Sequence, residues 1–165
     1  ATATCAWLRA RAPSAISRLM ELGVPAYLIS ATVVGVLAQR LVRTLCAVCK
    51  VPDDEANKTV VAAMLGTPTS IDYQPYKAVG CDACRNTGFK GRQGVYELLT
   101  LSEDFKDHIH ASPVVSRLRE QGIKDGMVPL RVAGLGLYMD GKTTIESVVE
   151  STPDLTVRQA PVKPS

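Results

Sequence analysis

Two cysteine pairs constrain this chain more than any other feature. Cys46-Ala-Val-Cys49 and Cys81-Asp-Ala-Cys84 form a C-x2-C…C-x2-C pattern, with residues 50–80 between them. Each pair can offer two thiolates from one tight knuckle turn, and four thiolates complete a closed tetrahedral zinc site. A closed site leaves no position for water, so its zinc is structural rather than catalytic. Two disulfides, or four unrelated buried thiols, are the competing readings; the paired spacing favours metal. Gly80 and Gly88 frame the second pair, and glycine admits the left-handed backbone and close approach that a knuckle requires. Cys46, Cys49, Cys81 and Cys84 are therefore the expected ligands of a structural Zn2+. Thiolate ligands must stay unoxidised, which implies a reducing compartment. Cys5 is then a spare thiol, read as inert.

The 165 residues suffice for one ordinary domain or two small ones sharing an interface. Aromatic residues make up only 5% of the chain, which points to an aliphatic, helix-rich core. A net charge of +3 is too weak to argue for nucleic acid. No basic stretch followed by an apolar run opens the chain, so no signal peptide is expected. The longest apolar stretch, residues 26–38, is too short to span a bilayer. The first residue is not methionine, and we expect the chain to begin inside a larger protein.

Read in order, residues 1–12 show no clear period. Ser14 is expected to cap a helix running to Leu22, with Ile16, Leu19, Met20 and Leu22 on its apolar face and Gly23 ending it. Pro25 opens a second element. Leu28, Ile29, Val33, Val36, Leu37, Ala38 and Leu41 fit a mostly buried helix, while the β-branched run Thr32-Val-Val34 leaves a buried strand open. Between the pairs, Pro52-Asp-Asp-Glu55 reads as a helix start. Val60, Val61, Met64 and Leu65 give that helix an apolar side, and Gly66-Thr-Pro68 ends it. Tyr73, Pro75 and Tyr76 lead as an extended segment into the second pair. Asn86-Thr-Gly88 is a turn, Gly88 to Gly94 a hairpin turn, and Val95-Tyr-Glu-Leu-Leu99 a strand, together making a hairpin that closes the metal site.

Downstream, Ser102 caps a helix carrying Phe105 and Ile109. Pro113 begins another, with Val114, Val115 and Leu118 inward, closed near Gly122. A third spans residues 126–138, carrying Met127, Leu130, Ala133, Leu137 and Tyr138; Pro129 fits only its first turn. Asp140-Gly141 is a turn. Thr143 or Thr144 caps a last helix with Ile145, Val148 and Val149 inward. From Pro153 onward no apolar period remains, and a flexible tail is expected.

We expect no Gly-x4-Gly-Lys-Ser/Thr phosphate loop, and hence not a complete P-loop nucleotidase. The glycines of residues 88–94 only superficially suggest a phosphate cradle, because such a loop should open a helix. Arg40, Arg43 and Arg92 could reach an anion, although solvated or ion-paired arginines are the commoner outcome. No acid/base pair stands out, so no catalytic residue is assigned.

The residues around the cysteines are similar to a known family. Gly35-Val-Leu-Ala-Gln-Arg-Leu-Val-Arg43 before Leu45-Cys46, then Ala78-Val-Gly-Cys-Asp-Ala-Cys84, Thr87-Gly-Phe-Lys-Gly-Arg92 and Gly94-Val-Tyr-Glu-Leu-Leu99, resemble the tetracysteine region of type II secretion and type IV pilus assembly ATPases. Ala15-Ile-Ser-Arg-Leu-Met-Glu-Leu-Gly23 resembles the helix after that family's histidine box. Gly126-Met127, Leu130-Arg131 and Gly141-Lys-Thr-Thr-Ile-Glu-Ser-Val148 resemble its C-terminal helices. The likeness covers about residues 12–152. Where the histidine box would fall, the chain has Trp7-Leu-Arg-Ala-Arg11 and no histidine, so residues 1–12 are either non-native or have lost the box.

The resemblance implies the C-terminal lobe of one protomer of a hexameric P-loop motor at the cytoplasmic face of the bacterial inner membrane. The expected fold is mostly α with a small β hairpin. Residues 1–45 would end the RecA-like nucleotide-binding domain, 46–99 would form the tetracysteine zinc subdomain, 100–152 a C-terminal helical subdomain, and 153–165 the tail. ATP and Mg2+ would belong to the full-length protein, leaving this chain inactive alone. Arg40 and Arg43 would contact nucleotide or an adjoining domain. Expected partners are other protomers and inner-membrane platform proteins, with no nucleic acid and no transmembrane segment. The alternative is a free-standing zinc module that binds nucleic acid or a protein partner, its footing being Arg85, Lys90 and Arg92 beside the cysteines. A third reading, a redox protein using one C-x2-C pair, is disfavoured by the presence of two pairs.

Overall fold

A long antiparallel ribbon is the backbone of the computed structural model, which describes residues 11–56, 58–65, 73–111 and 114–154. Its strands are β1 (Gly35–Leu45) and β4 (Phe89–Thr100), paired from Gly35 opposite Thr100 to Leu45 opposite Phe89. A smaller pair, β2 (Val51–Pro52) with β3 (Tyr76–Lys77), lies in the insert between the two cysteine pairs. Seven helices complete the described residues: α1 (Ala12–Glu21), α2 (Ala26–Thr32), α3 (Lys58–Leu65), α4 (Glu103–Ala111), α5 (Val115–Lys124), α6 (Leu130–Met139) and α7 (Ile145–Ser151). Helices with a small antiparallel sheet are thus what the chain forms, but β1 is no helix.

The segment expected to run as a helix to Leu41 instead breaks after Thr32. Thr32-Val-Val34 and Gly35 disfavour helix through stiff χ1 rotamers and backbone entropy. Residues 36–42 carry apolar side chains on both faces, a pattern that fits a strand flanked on two sides as readily as a buried helix. The ribbon is therefore longer than a small hairpin, and in sequence its strands lie on either side of the insert between the cysteine pairs. Gly88 to Gly94 is correspondingly not a hairpin turn. It lies largely within β4, where the register slips between Arg43 and Leu45. Gly91, at φ +87°, takes the left-handed conformation of a bulge residue there.

One face of the ribbon covers the main core. Ala38 and Val42 from β1, with Val95 and Leu99 from β4, pack against Ala12 and Ile16 (α1), Ile29 (α2), Phe105 and Ile109 (α4), Leu118 (α5) and Leu130 (α6). A second core gathers Val61 from α3, Leu135 and Tyr138 from α6 and Val148 from α7. Gly134 allows that approach, because a Cβ there would lie 2.7 Å from Val148 Cγ1. The insert between the cysteine pairs is thereby docked on the C-terminal helices.

Several helix limits differ from expectation. α1 starts after Arg11, with Pro13 in its first turn and no side-chain cap from Ser14; proline supplies the start because its fixed φ suits that position. Pro52-Asp-Asp-Glu55 forms strand β2 and a turn, and α3 begins only at Lys58. Leu22, Val114, Val115 and Val149 are exposed; each lies at or near a helix end or a flank, past the reach of its apolar stripe. Ser102 does cap α4, accepting from the Phe105 N–H at 3.1 Å. Thr144 caps α7, accepting from the Ser147 N–H at 3.3 Å. Residues 1–10, Gly66-Thr-Pro68, Pro113 and residues 155–165 lie outside the described residues. Asp154, at the expected start of the tail, holds Arg131 at 3.0 Å.

Candidate metal centre

Both knuckles are built by short-range backbone bonds at the end of the ribbon. In the first, Cys46 C=O accepts from the N–H groups of Cys49 and Lys50 at 3.3 and 3.0 Å. In the second, the chain makes one 3-10 turn, Asp82–Cys84, and leaves it through Arg85 and Asn86 at φ 55° and 59°. Gly80 and Gly88 are both at positive φ. A Cβ on Gly80 would meet Asn86 O at 2.8 Å, and one on Gly88 would lie 2.6 Å from Ala78 Cβ. The framing glycines are thus steric requirements of the knuckle, as the sequence suggested. Cys46 N–H donates to Gly88 C=O at 2.9 Å, which ties the two knuckles together.

The four sulfurs converge, all lying within 4.8 Å of one another. Cys46 and Cys81 Sγ are 4.0 Å apart, and Cys84 Sγ is 3.8 Å from both Cys49 and Cys81. A disulfide needs about 2.05 Å, and all four cysteines are free. The arrangement can hold a metal ion. Cys46 and Cys84 are buried, while Cys49 and Cys81 are half-buried. Burial pushes the Cys84 thiol up, but the N–H groups of Cys81 and Gly88, then the thiols of Cys49 and Cys81, outweigh it and bring its pKa down to about 6. At Cys49 burial prevails over the Gly80 N–H, and with the neighbouring thiols lifts the pKa to about 11.

Arg40 and Arg43 do not converge. Three residues apart on β1, they project from opposite faces of the ribbon. Arg43 lies over the Phe89 ring, 4.2 Å from its centroid, and 3.6 Å from Glu150. Its backbone is gripped as well: the N–H donates to Ser147 Oγ at 2.9 Å, and the C=O accepts from Thr143 Oγ1 at 2.7 Å. Arg40 donates to Gln39 C=O at 2.8 Å. Arg92 is paired opposite Arg43 in the ribbon.

The expectation that no Gly-x4-Gly-Lys-Thr string occurs needs correcting. Gly136-Leu-Tyr-Met-Asp-Gly-Lys-Thr143 fits those letters. It is not a phosphate loop, because its first half is the end of α6 rather than a loop after a strand. The N–H groups that would cradle phosphate are already used: Asp140, Gly141 and Lys142 donate to the carbonyls of Gly136, Tyr138 and Leu137. Lys142 pairs with Asp140 at 2.9 Å.

Lys50 belongs to no motif, yet it proves to be a tether. Its Nζ donates to Gly141 C=O at 2.8 Å and stands 4.3 Å from the Tyr76 ring centroid. Gly141 is required there, since a Cβ would lie 2.6 Å from Tyr76 Cδ2. The sequence signal was a lysine directly after the first pair and an aromatic shortly before the second.

Residues 8–150 match the model of the type II/IV secretion system protein family. The chain belongs to that family. A type IV pilus assembly ATPase, TfpB of Acinetobacter baylyi, is 40% identical over 142 residues, covering 86% of this chain and 24% of the relative. The type IV pilus assembly ATPase PilB of Myxococcus xanthus is 35% identical over 142 residues, covering 86% and 25%. A type II secretion system protein E of Aeromonas hydrophila is 34% identical over 138 residues, covering 84% and 27%. This secretion-family chain thus spans about a quarter of the length of those relatives. Among its described residues, no helix is long and apolar enough to cross a membrane.

Proposed function

We propose that the chain is the C-terminal, zinc-stapled lobe of a hexameric ATPase that powers type II protein secretion or type IV pilus assembly. Its role in that motor is structural and interactive, and it hydrolyses no ATP alone. The observation that carries this reading is the outer face of the ribbon. Leu37, Leu41, Tyr96 and Leu98 form an exposed apolar stripe opposite the core-facing side chains. Strands apolar on both faces belong to sheets covered on both sides, and apolar patches of this kind mark interfaces. The stripe suits docking against the rest of a nucleotide-binding domain, of which residues 1–45 form the last part. Residues 46–99 then make the metal subdomain and residues 100–152 the helical one.

Zinc is the metal we assign. Zn–S bonds of about 2.3 Å place tetrahedral ligands about 3.8 Å apart, which is the spacing of the closest sulfurs here. Cys46, Cys49, Cys81 and Cys84 would hold it, leaving no open position and so no hydrolytic chemistry. In the motor, ATP and Mg2+ bind elsewhere. Other protomers and inner-membrane platform proteins are its partners, at the cytoplasmic face of the bacterial inner membrane. Arg43, on the ribbon's outer face, is the better placed of the two β1 arginines for an interdomain contact.

The test places Leu41→Asp in a protein that carries this lobe behind a phosphate-loop domain, with ATPase rate and ring assembly measured. Loss of both, while the isolated lobe stays folded, supports the docking reading. Unchanged assembly and rate would overturn it.

A further inference from the structure

β4 carries a carboxylate where its alternation calls for an apolar side chain. Glu97 faces the core between Val95 and Leu99 and is 2% exposed. Its Oε1 accepts from the Ala12 N–H at 2.7 Å, and its Oε2 accepts from the Leu130 N–H at 3.2 Å. Ala12 opens α1 and Leu130 opens α6. Neither helix has a side-chain cap of its own at Arg11 or Pro129, nor an acid in its first turn. The leading N–H groups of a helix lack intrahelical partners and lie at the positive end of its dipole. One buried carboxylate therefore serves two helix starts.

We infer that Glu97 is a shared cap that joins the first turns of α1 and α6. It is a positioning residue. Through it the two helices are anchored to one point on β4, so their protection from solvent exchange stands or falls together.

The experiment is residue-resolved amide hydrogen exchange on the whole metal-loaded chain. Glu97→Leu removes both acceptor oxygens, leaving the N–H groups of Ala12 and Leu130 without their partner at nearly constant volume. We expect the amides of Ala12 and Leu130 to exchange about 10- to 100-fold faster together, while the first turn of α7, capped by Thr144, keeps its rate. An unchanged rate at either Ala12 or Leu130 overturns the shared cap. So does equal acceleration in every helix, which is mere global loosening. Should Glu97→Leu fail to fold, Glu97→Gln keeps one acceptor oxygen and carries the exchange readout, and acceleration at neither Ala12 nor Leu130 would overturn the cap.

Discussion

At the scale of single residues, geometry at the knuckles is what a bound metal would need and what substitutions would disturb. Gly88→Ala adds a Cβ at φ +74° and 2.6 Å from Ala78 Cβ. We expect it to weaken metal affinity about 10- to 100-fold, the size of a disturbed supporting shell, measured by competition with a chromophoric chelator. Protonation acts on the same groups. Acid competes for the four thiolates, so any bound metal should leave as pH falls. Tyr138 titrates in the opposite range. Burial, with lesser contributions from Tyr73, Asp53 and Glu146, raises its pKa to about 12. The folded state thus binds that proton more tightly than the unfolded chain, where tyrosine ionises near 10. The stabilisation is complete below about pH 10 and is lost as pH rises toward 12. A phenolate absorbance titration should show Tyr138 ionising last, together with loss of helical circular dichroism.

At the scale of elements, the ribbon decides how much the sequence could disclose. The convergence of the four cysteines, their glycine frame and the caps of α4 and α7 were legible because each rests on a local signal: a spacing, a backbone freedom, a side chain three residues from its target. β1 was not legible in the same way. Leu37, Ala38, Leu41 and Val42 are apolar on both faces of the strand, and such a run has no period to separate it from a buried helix. Its partner β4 lies beyond the whole insert between the cysteine pairs, so pairing is a long-range fact. Glu97 left a trace as a charge at an inward position of Val95-x-Glu97-x-Leu99, yet what it bonds lies at residues 12 and 130. The letters of Gly136–Thr143 show the converse, since a pattern without its strand has no chemistry. The ribbon's two faces should answer differently to mutation. Phe105→Ala, beneath the inner face, should cost about 3–5 kcal/mol in urea unfolding. Leu41→Asp, on the outer face, should change the stability of this chain by less than about 1 kcal/mol.

At the scale of the molecule, the cysteine knuckles and the insert between them are bound to the rest at several points. Cys46 N–H bonds Gly88 at the ribbon's end, Leu45 N–H donates to Lys142 C=O at 2.8 Å, and Lys50 reaches Gly141. Val61 enters the second core with Leu135, Tyr138 and Val148. Losing the metal should therefore be felt beyond the knuckles. Chelation is expected to lower the thermal midpoint of the whole chain by more than about 4 °C, and to open β1, β4 and the start of α7 to exchange. The central claim, one structural zinc held by four thiolates, is tested most directly by elemental analysis of the purified chain with thiol titration before and after chelation. We predict one zinc per chain, with the thiols of Cys46, Cys49, Cys81 and Cys84 becoming reactive only when chelator removes it. A chain without metal whose four cysteines are paired as two disulfides would contradict that claim.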